Sequence, residues 1–298
     1  MIERIQRTLL LTLALAAAGW GIFAWSAGWR VAAVTGVLGL LGLHAFVIAI
    51  EFAWMIRVSR GDSTPAPNLW RVARAWWREV MAATLAFGWR QPFWSRRWPD
   101  HLPQHAAAET GIVLVHGYFC NRGLWNPWLK RLRECGVPHV AVTLPSPFAP
   151  IETHVDTVEQ AVRRIERATG RPPVLVGHSM GGLVLRCWDV ERNGASRVAR
   201  IITIGSPHHG TPTATLGHGA CASQMRVESA WLKQLSNRES GRHDHFTCFY
   251  GHCDNMVFPA STATLSQARN VHLPDVGHVE MAMHPLVWSE MMGLVERS

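Results

Sequence analysis

The sequence predicts an α/β protein: a mostly parallel, doubly wound sheet of about six strands, helices on both faces, and two transmembrane helices ahead of it. Three observations carry this. Short apolar runs alternate with helical stretches from residue 111 onward. Those runs are nearly continuous in apolar residues, as strands covered on both faces are. The first fifty residues hold two long runs without charge.

The uncharged runs go from Thr8 to Trp29 and from Val31 to Ile50. Each is long enough to cross a hydrocarbon core of about 30 Å as a helix. The short link "SAGWR" makes them an antiparallel hairpin. Trp20, Trp25, Trp29 and Trp54 fall near the span ends, as an interfacial aromatic belt does. A secretory signal is the rival reading of the first run, since Arg4 and Arg7 precede an apolar core. Its length and the second run weigh against that. His44 and Glu51, seven apart, share a helical face. Such groups can mark a pathway, but Glu51 is expected at the cytoplasmic interface and His44 packed in the hairpin.

The net charge of +8 is concentrated just after the second run. Between Arg57 and Arg97 stand eight arginines against Asp62 and Glu79, and the loop between the runs offers only Arg30. The positive-inside rule then places both ends of the hairpin, and everything after it, on the cytoplasmic side of what is expected to be a bacterial inner membrane. Anionic lipid accounts for the basic stretch, and without a nucleic-acid motif no nucleic-acid partner is expected. Cysteines 120, 135, 187, 221, 248 and 253 are expected to be reduced in that compartment. Neither their spacing nor the adjacent pair in "PHHG" (207–210) forms a metal-ligand pattern, so no metal and no cofactor is expected.

"GDSTPAPN" (61–68) breaks the chain, and Asn68 caps a helix expected to run to about Phe87 and stop at Gly88. Arg71, Arg74 and Arg78 lie along it, with Trp70, Ala73, Trp77 and Met81 on a neighbouring face. Such a helix either lies on a membrane surface or packs against the rest of the protein. "RRWPDHLPQH" (96–105) reads as a linker. Strands follow at 111–115, 139–144, 173–177, 200–205, 245–250 and 270–274. Between them, helices are expected at 126–136, 152–168 and 180–192, with a closing helix at 280–295. The irregular stretch 206–244, with a helix near 229–236, is long enough to be a lid.

The chemistry centres on Gly177-His178-Ser179-Met180-Gly181, which fits G-x-S-x-G between a strand and a helix. A serine hydroxyl needs a base to become a nucleophile. The glycines permit the sharp turn that stands the hydroxyl clear of the sheet edge. The base is expected at His278, after the last strand and before the last helix; His272 and His284 lie within those elements. The acid must come between nucleophile and base in the chain. Asp254 follows a strand by a short loop and is preferred; Asp275, three residues before His278, stays open, and Asp189 sits too far along its helix. Oxyanion donors are expected at the N–H of Met180 and, from the loop "HGY" (116–118), of Tyr118.

"VHGYFCNRGLW" (115–125), "VGHSMGGLV" (176–184), "IGSPHHGTP" (204–212), "YGHCDNMVFP" (250–259) and "VGHVEM" (276–281) together resemble the α/β-hydrolase superfamily, and within it bacterial lipases and esterases of the triacylglycerol lipase type. The resemblance covers about 107–298. It implies the eight-stranded α/β-hydrolase sheet or a trimmed version of it, the six strands counted resembling small lipases that lack the first two, and a lipase-like lid after "GSPHHGTP". The chain is then expected to hold a transmembrane hairpin (1–56), a basic amphipathic helix and linker (57–106), and a catalytic domain (107–298). The function expected is a membrane-anchored serine hydrolase that cleaves lipid-like carboxylic esters through an acyl-enzyme. Its partners are the acyl-ester substrate and the membrane; no oligomeric state can be read. Acyl transfer or thioester cleavage on the same triad, and a non-catalytic membrane component, are the alternatives.

Overall fold

The computed structural model describes residues 1–102, 109–239 and 241–297, apart from the side chain of Leu41. The end of the linker expected at 96–105, the boundary drawn at 106–107 and Ser240 in the lid-like stretch lie outside the described residues.

Six strands form one sheet: β1 (Ile112–Val115), β2 (His139–Ala141), β3 (Val174–His178), β4 (Arg200–Ile204), β5 (Phe246–Tyr250) and β6 (Arg269–His272). Their spatial order is β2-β1-β3-β4-β5-β6, and every neighbouring pair is parallel. Side chains alternate between faces along each strand. Ile112, Leu114, Val174, Val176, Ile202 and Ile204 enter one core, while Val113, Val115, Leu175 and Ile201 enter the other. The second core is closed by α6 (Val155–Thr169) and α7 (Met180–Arg192). The first is closed by α5 (Asn126–Glu134) and α11 (Pro285–Glu296), together with the N-terminal helices.

Those helices are α1 (Ile2–Ser26), α2 (Arg30–Val58), α3 (Leu69–Leu85) and α4 (Gln91–Trp94). Only Ile2, Gln6 and Ala24 of α1 are buried, so nearly all of an apolar helix faces outward. Among the described residues it alone is long, apolar and continuous enough to cross a membrane. The second run is less simple than expected: α2 bends by 51° between Arg30–Leu40 and Gly42–Val58, and counts as a crossing only if both pieces make one span. Gly39 and Gly42 flank the bend, where glycine lowers helix stability. Beyond the bend α2 leans onto the sheet, burying Ile48, Phe52 and Met55 in the first core.

On α3, Asn68 caps as expected by accepting from Arg71 N at 2.9 Å. The helix does not stop at Gly88; a π-helical turn (Ala86–Arg90) carries it into α4. It both packs and stays apolar outside. Val72, Ala75, Val80 and Ala83 enter the core, while Trp70, Trp77 and Met81 are exposed. Arg71 pairs with Asp275 and Arg78 with Glu280, so two of its arginines hold the C-terminal region. The closing helix expected at 280–295 is two pieces, α10 (His278–Met281) and α11, because Pro285 cannot continue the first. Within the lid-like stretch stand α8 (Ala220–Gln224) and α9 (Ala230–Glu239). Buried Arg186 of α7 binds Glu239 of α9 at 2.7 and 2.5 Å, tying that end down.

Candidate active site

Ser179 sits between β3 and α7 with φ 56° and ψ −128°. A side chain in that region is strained, and residues held so cluster at functional sites. The strain is held by what surrounds it. Ser179 N–H donates to Ile204 O at 2.8 Å, Gly182 N–H donates back to Ser179 O, and β3 is paired on both sides. Gly117 lies against the serine, where a Cβ would come within 2.7 Å of Ser179 Cβ. That close approach brings Tyr118 to Ser179.

His278 opens α10 with its ring buried. Its Nδ1 lies 3.0 Å from Asp254 Oδ2, and Asp254 Oδ1 accepts from the N–H groups of Met256 and Val257 at 2.9 and 2.8 Å. The three expected catalytic side chains therefore come to one end of the sheet. Asp275 goes elsewhere, to His252 at 3.1 Å and to Arg71. Asp189 pairs with His245. His284 caps α11 through Leu286 N–H, and the His272 ring packs at a tilt against Tyr250 and His252. No hydrogen bond joins Ser179 to His278 among the described residues; such contacts often tighten only around substrate. Gly205, at φ 53°, passes beside the Asp254–His278 pair, and a Cβ there would lie 2.8 Å from Asp254 Oδ2.

The electrostatics favour a charged imidazole. Burial alone lowers the His278 pKa, but the Asp254 carboxylate, with Glu79 and Glu51 farther away, outweighs it and the net shift is upward. Two nearby histidines go the other way. His178, whose Nε2 lies 3.0 Å from His278 O, is pushed well down by burial and by the His278 charge. Burial brings His116 to about 4. Neutral His116 accepts from Leu144 N–H at Nε2 and donates at Nδ1 to Gly117 O, an assignment that follows from the bonds. It pins the loop that carries Tyr118.

Four residues that the sequence reading did not place here come from the N-terminal helices. Glu79 of α3 is buried and accepts from the N–H groups of Val279 and Glu280 at 2.8 and 3.0 Å. Gly277 leaves room for it, since a Cβ would meet Glu79 Oε2 at 2.6 Å. Glu51 of α2 accepts from Asn255 Nδ2 at 2.7 Å, and Asn255 Oδ1 accepts from His278 N–H. Gln6 of α1 donates to Phe119 O at 3.2 Å, and Gln91 of α4 binds Asn121 by side chain and backbone. The loops that carry His278 and Tyr118 are thus both braced from outside the sheet.

Two cavities meet at Ser179. One of about 240 Å³ lies under the lid-like stretch, against Ala214, Leu216, Ala222 and Met225. The other, about 310 Å³, runs beneath α2 and α3, against His44, Ile48, Ala83 and Phe87. Glu51, Tyr118, Ser179 and Met256 line both. His44 and Glu51 therefore reach the site rather than only the hairpin and its interface. Elsewhere, ligand atoms of His252, Cys253 and Asp275 lie within 4.8 Å of one another, but Asp275 is already bound to His252 and Arg71.

Residues 149–275 match the family described as the PGAP1-like alpha/beta domain. No curated relative matches the chain. In fold the chain is similar to the mature form of Bacillus licheniformis lipase BlEst2, with a TM-score of 0.56 at 19% identity, over 65% of this chain and 95% of that one. It is also similar to Aspergillus fumigatus lipase B, with a TM-score of 0.54 at 18% identity, over 65% of this chain and 55% of that one. The parallel six-stranded sheet with helices on both faces is an α/β-hydrolase fold.

Proposed function

We propose that this chain is a membrane-anchored serine hydrolase that cleaves carboxylic esters of lipid-like substrates. The observation that carries the reading is the strained Ser179 turn facing the buried His278–Asp254 pair at one sheet end. The lipase descriptions of the two structural neighbours agree with it. Ser179 Oγ attacks the ester carbonyl while His278 Nε2 takes its proton. Asp254 accepts from Nδ1–H, which selects the tautomer with Nε2 free and stabilises the imidazolium that forms. The oxyanion is held by the N–H groups of Met180 and Tyr118; Met180 starts α7, where N–H groups lack helical acceptors. His278 returns the proton to the leaving alcohol. It then takes one from the water that attacks the acyl carbonyl, and passes it to Ser179 Oγ as the ester bond to the serine breaks and the carboxylic acid leaves.

The anchor in this reading is the apolar hairpin, with the arginine-rich stretch after it holding the catalytic region on the cytoplasmic side. The test is labelling by a fluorophosphonate probe together with hydrolysis of p-nitrophenyl butyrate. Wild type should do both, and folded Ser179→Ala should do neither beyond a residue of binding and oxyanion effects. Near-normal turnover in Ser179→Ala would sink the reading.

A further inference from the structure

The cavity beneath α2 has a wall that no catalytic core supplies. Its far side is the apolar hairpin: His44 and Ile48 on α2, with Ala83 and Phe87 on the helix that follows. The bend in α2 puts that wall there, since only the piece beyond the bend lies over the sheet. His44 is exposed, and it stands among exposed Leu43, Phe46 and Val47. Along the helix it lies six residues inside the uncharged run that ends at Ile50, about 9 Å at 1.5 Å per residue. The rim at His44 is therefore set in the apolar surface that a bilayer would cover. An ester carbonyl at Ser179 has two sides, and the lid-side cavity offers room for the other one.

We infer that the cavity beneath α2 is the acyl site. It takes the long hydrocarbon chain of a membrane-resident ester, which enters beside His44 from the layer occupied by the hairpin. This rests on Ser179 being the nucleophile. The hairpin is then part of the substrate pocket as well as an anchor. Ile48, Ala83 and Phe87 keep the chain in apolar surroundings as it leaves the bilayer, so a long acyl group reaches Ser179 without being exposed to water.

The experiment compares kcat/KM for p-nitrophenyl palmitate in phosphatidylcholine vesicles with that for p-nitrophenyl butyrate in solution, for full-length protein. His44→Trp, at an exposed position, narrows the entrance; its palmitate-to-butyrate ratio should fall about tenfold or more. Ile48→Ala deepens the cavity, and the chain-length optimum in a series of vesicle-borne esters should move to longer chains. Leu216→Trp narrows the lid-side cavity instead. Loss of the palmitate preference in Leu216→Trp but not in His44→Trp overturns the assignment, and so does an unchanged ratio in both α2 variants. Fluorophosphonate labelling separates the two levels. Labelling of wild type with an unmoved ratio defeats the acyl site alone, whereas absence of labelling in wild type defeats the nucleophile on which it rests.

Discussion

Replacing Glu79 with glutamine should change how stability depends on pH. Burial raises the Glu79 carboxyl from 4.5 to about 7, against the pull of the Glu280 and Val279 N–H groups and the His278 charge. A carboxyl raised on folding contributes stability that is complete below its unfolded value and lost as pH climbs through its folded one. The window therefore runs from 4.5 to about 7. At about 1.4 kcal/mol per pH unit the loss is about 3 kcal/mol. For a chain of this size that is about 5–10 °C in Tm. Glutamine does not titrate, and it leaves one of two N–H groups without an acceptor, a pH-independent cost of about 1–3 kcal/mol. The Tm of detergent-solubilised wild type minus that of Glu79→Gln should thus be largest below pH 4.5 and shrink by about 5–10 °C at about pH 8.5. Scanning fluorimetry measures it. A difference that stays constant or widens as pH rises refutes the reasoning. The same substitution removes a negative charge that helps to raise His278. The acid limb of kcat/KM for a soluble butyrate ester should accordingly move to lower pH, and a move to higher pH would contradict that role.

Asp254→Asn should preserve the fold and cost ~10⁴ in turnover if the site behaves like the serine-protease triad, while Asp275→Asn should cost far less; the opposite ranking in two folded variants would transfer the role. In wild type the acid limb itself should lie above the ordinary imidazole value of 6.5, because His278 is shifted upward and acts only when neutral; a pH–rate profile with its limb below that value contradicts the assignment. Gly205→Ala places a Cβ against Asp254 and His278 at a backbone φ of 53°, and should lower kcat by about tenfold or more while the circular dichroism spectrum stays that of wild type. A reporter active only in the periplasm, fused after Ser298, should stay silent, and activity there with a silent cytoplasmic reporter would reverse the orientation.

Much of the sheet and of the candidate site is legible in the sequence because its signals are local. The strands announce themselves as apolar runs, since burial on both faces forbids polar alternation. Ser179 and His278 are readable from turn residues and from chain order. Asp254 and Asp275 could not be separated that way, because chain order does not say which carboxylate a buried imidazole meets. In space, His252 and Arg71 take Asp275 and leave Asp254 beside His278. The bracing residues were illegible for a related reason. Glu79 looks like any acidic residue on an amphipathic helix, and its partners, the N–H groups of Val279 and Glu280, lie 200 and 201 residues away. Glu51 meets Asn255 across 204 residues. The break before α11 was available in Pro285, but the apolar periodicity on either side of it hides the interruption. The bend in α2 rests on glycines that also suit a straight membrane helix, where such residues are common.

The brace from α1, α2 and α3 also orders events during synthesis. The hairpin precedes the His278 loop in the chain, so Glu51 and Glu79 wait for partners that arrive about two hundred residues later. Until then Glu79 is a carboxylate without the two N–H groups it serves. The site is closed only when segments about two hundred residues apart meet, and contacts of such separation form slowly. A shortened chain that began after residue 108 would keep Ser179, Asp254 and His278. It would leave Phe119 O, Val279 N–H and Glu280 N–H without the groups that hold them. A nascent chain that has not yet delivered residues 254–280 therefore lacks both the Asp254–His278 pair and the partners of Glu51 and Glu79, although the hairpin is already in place.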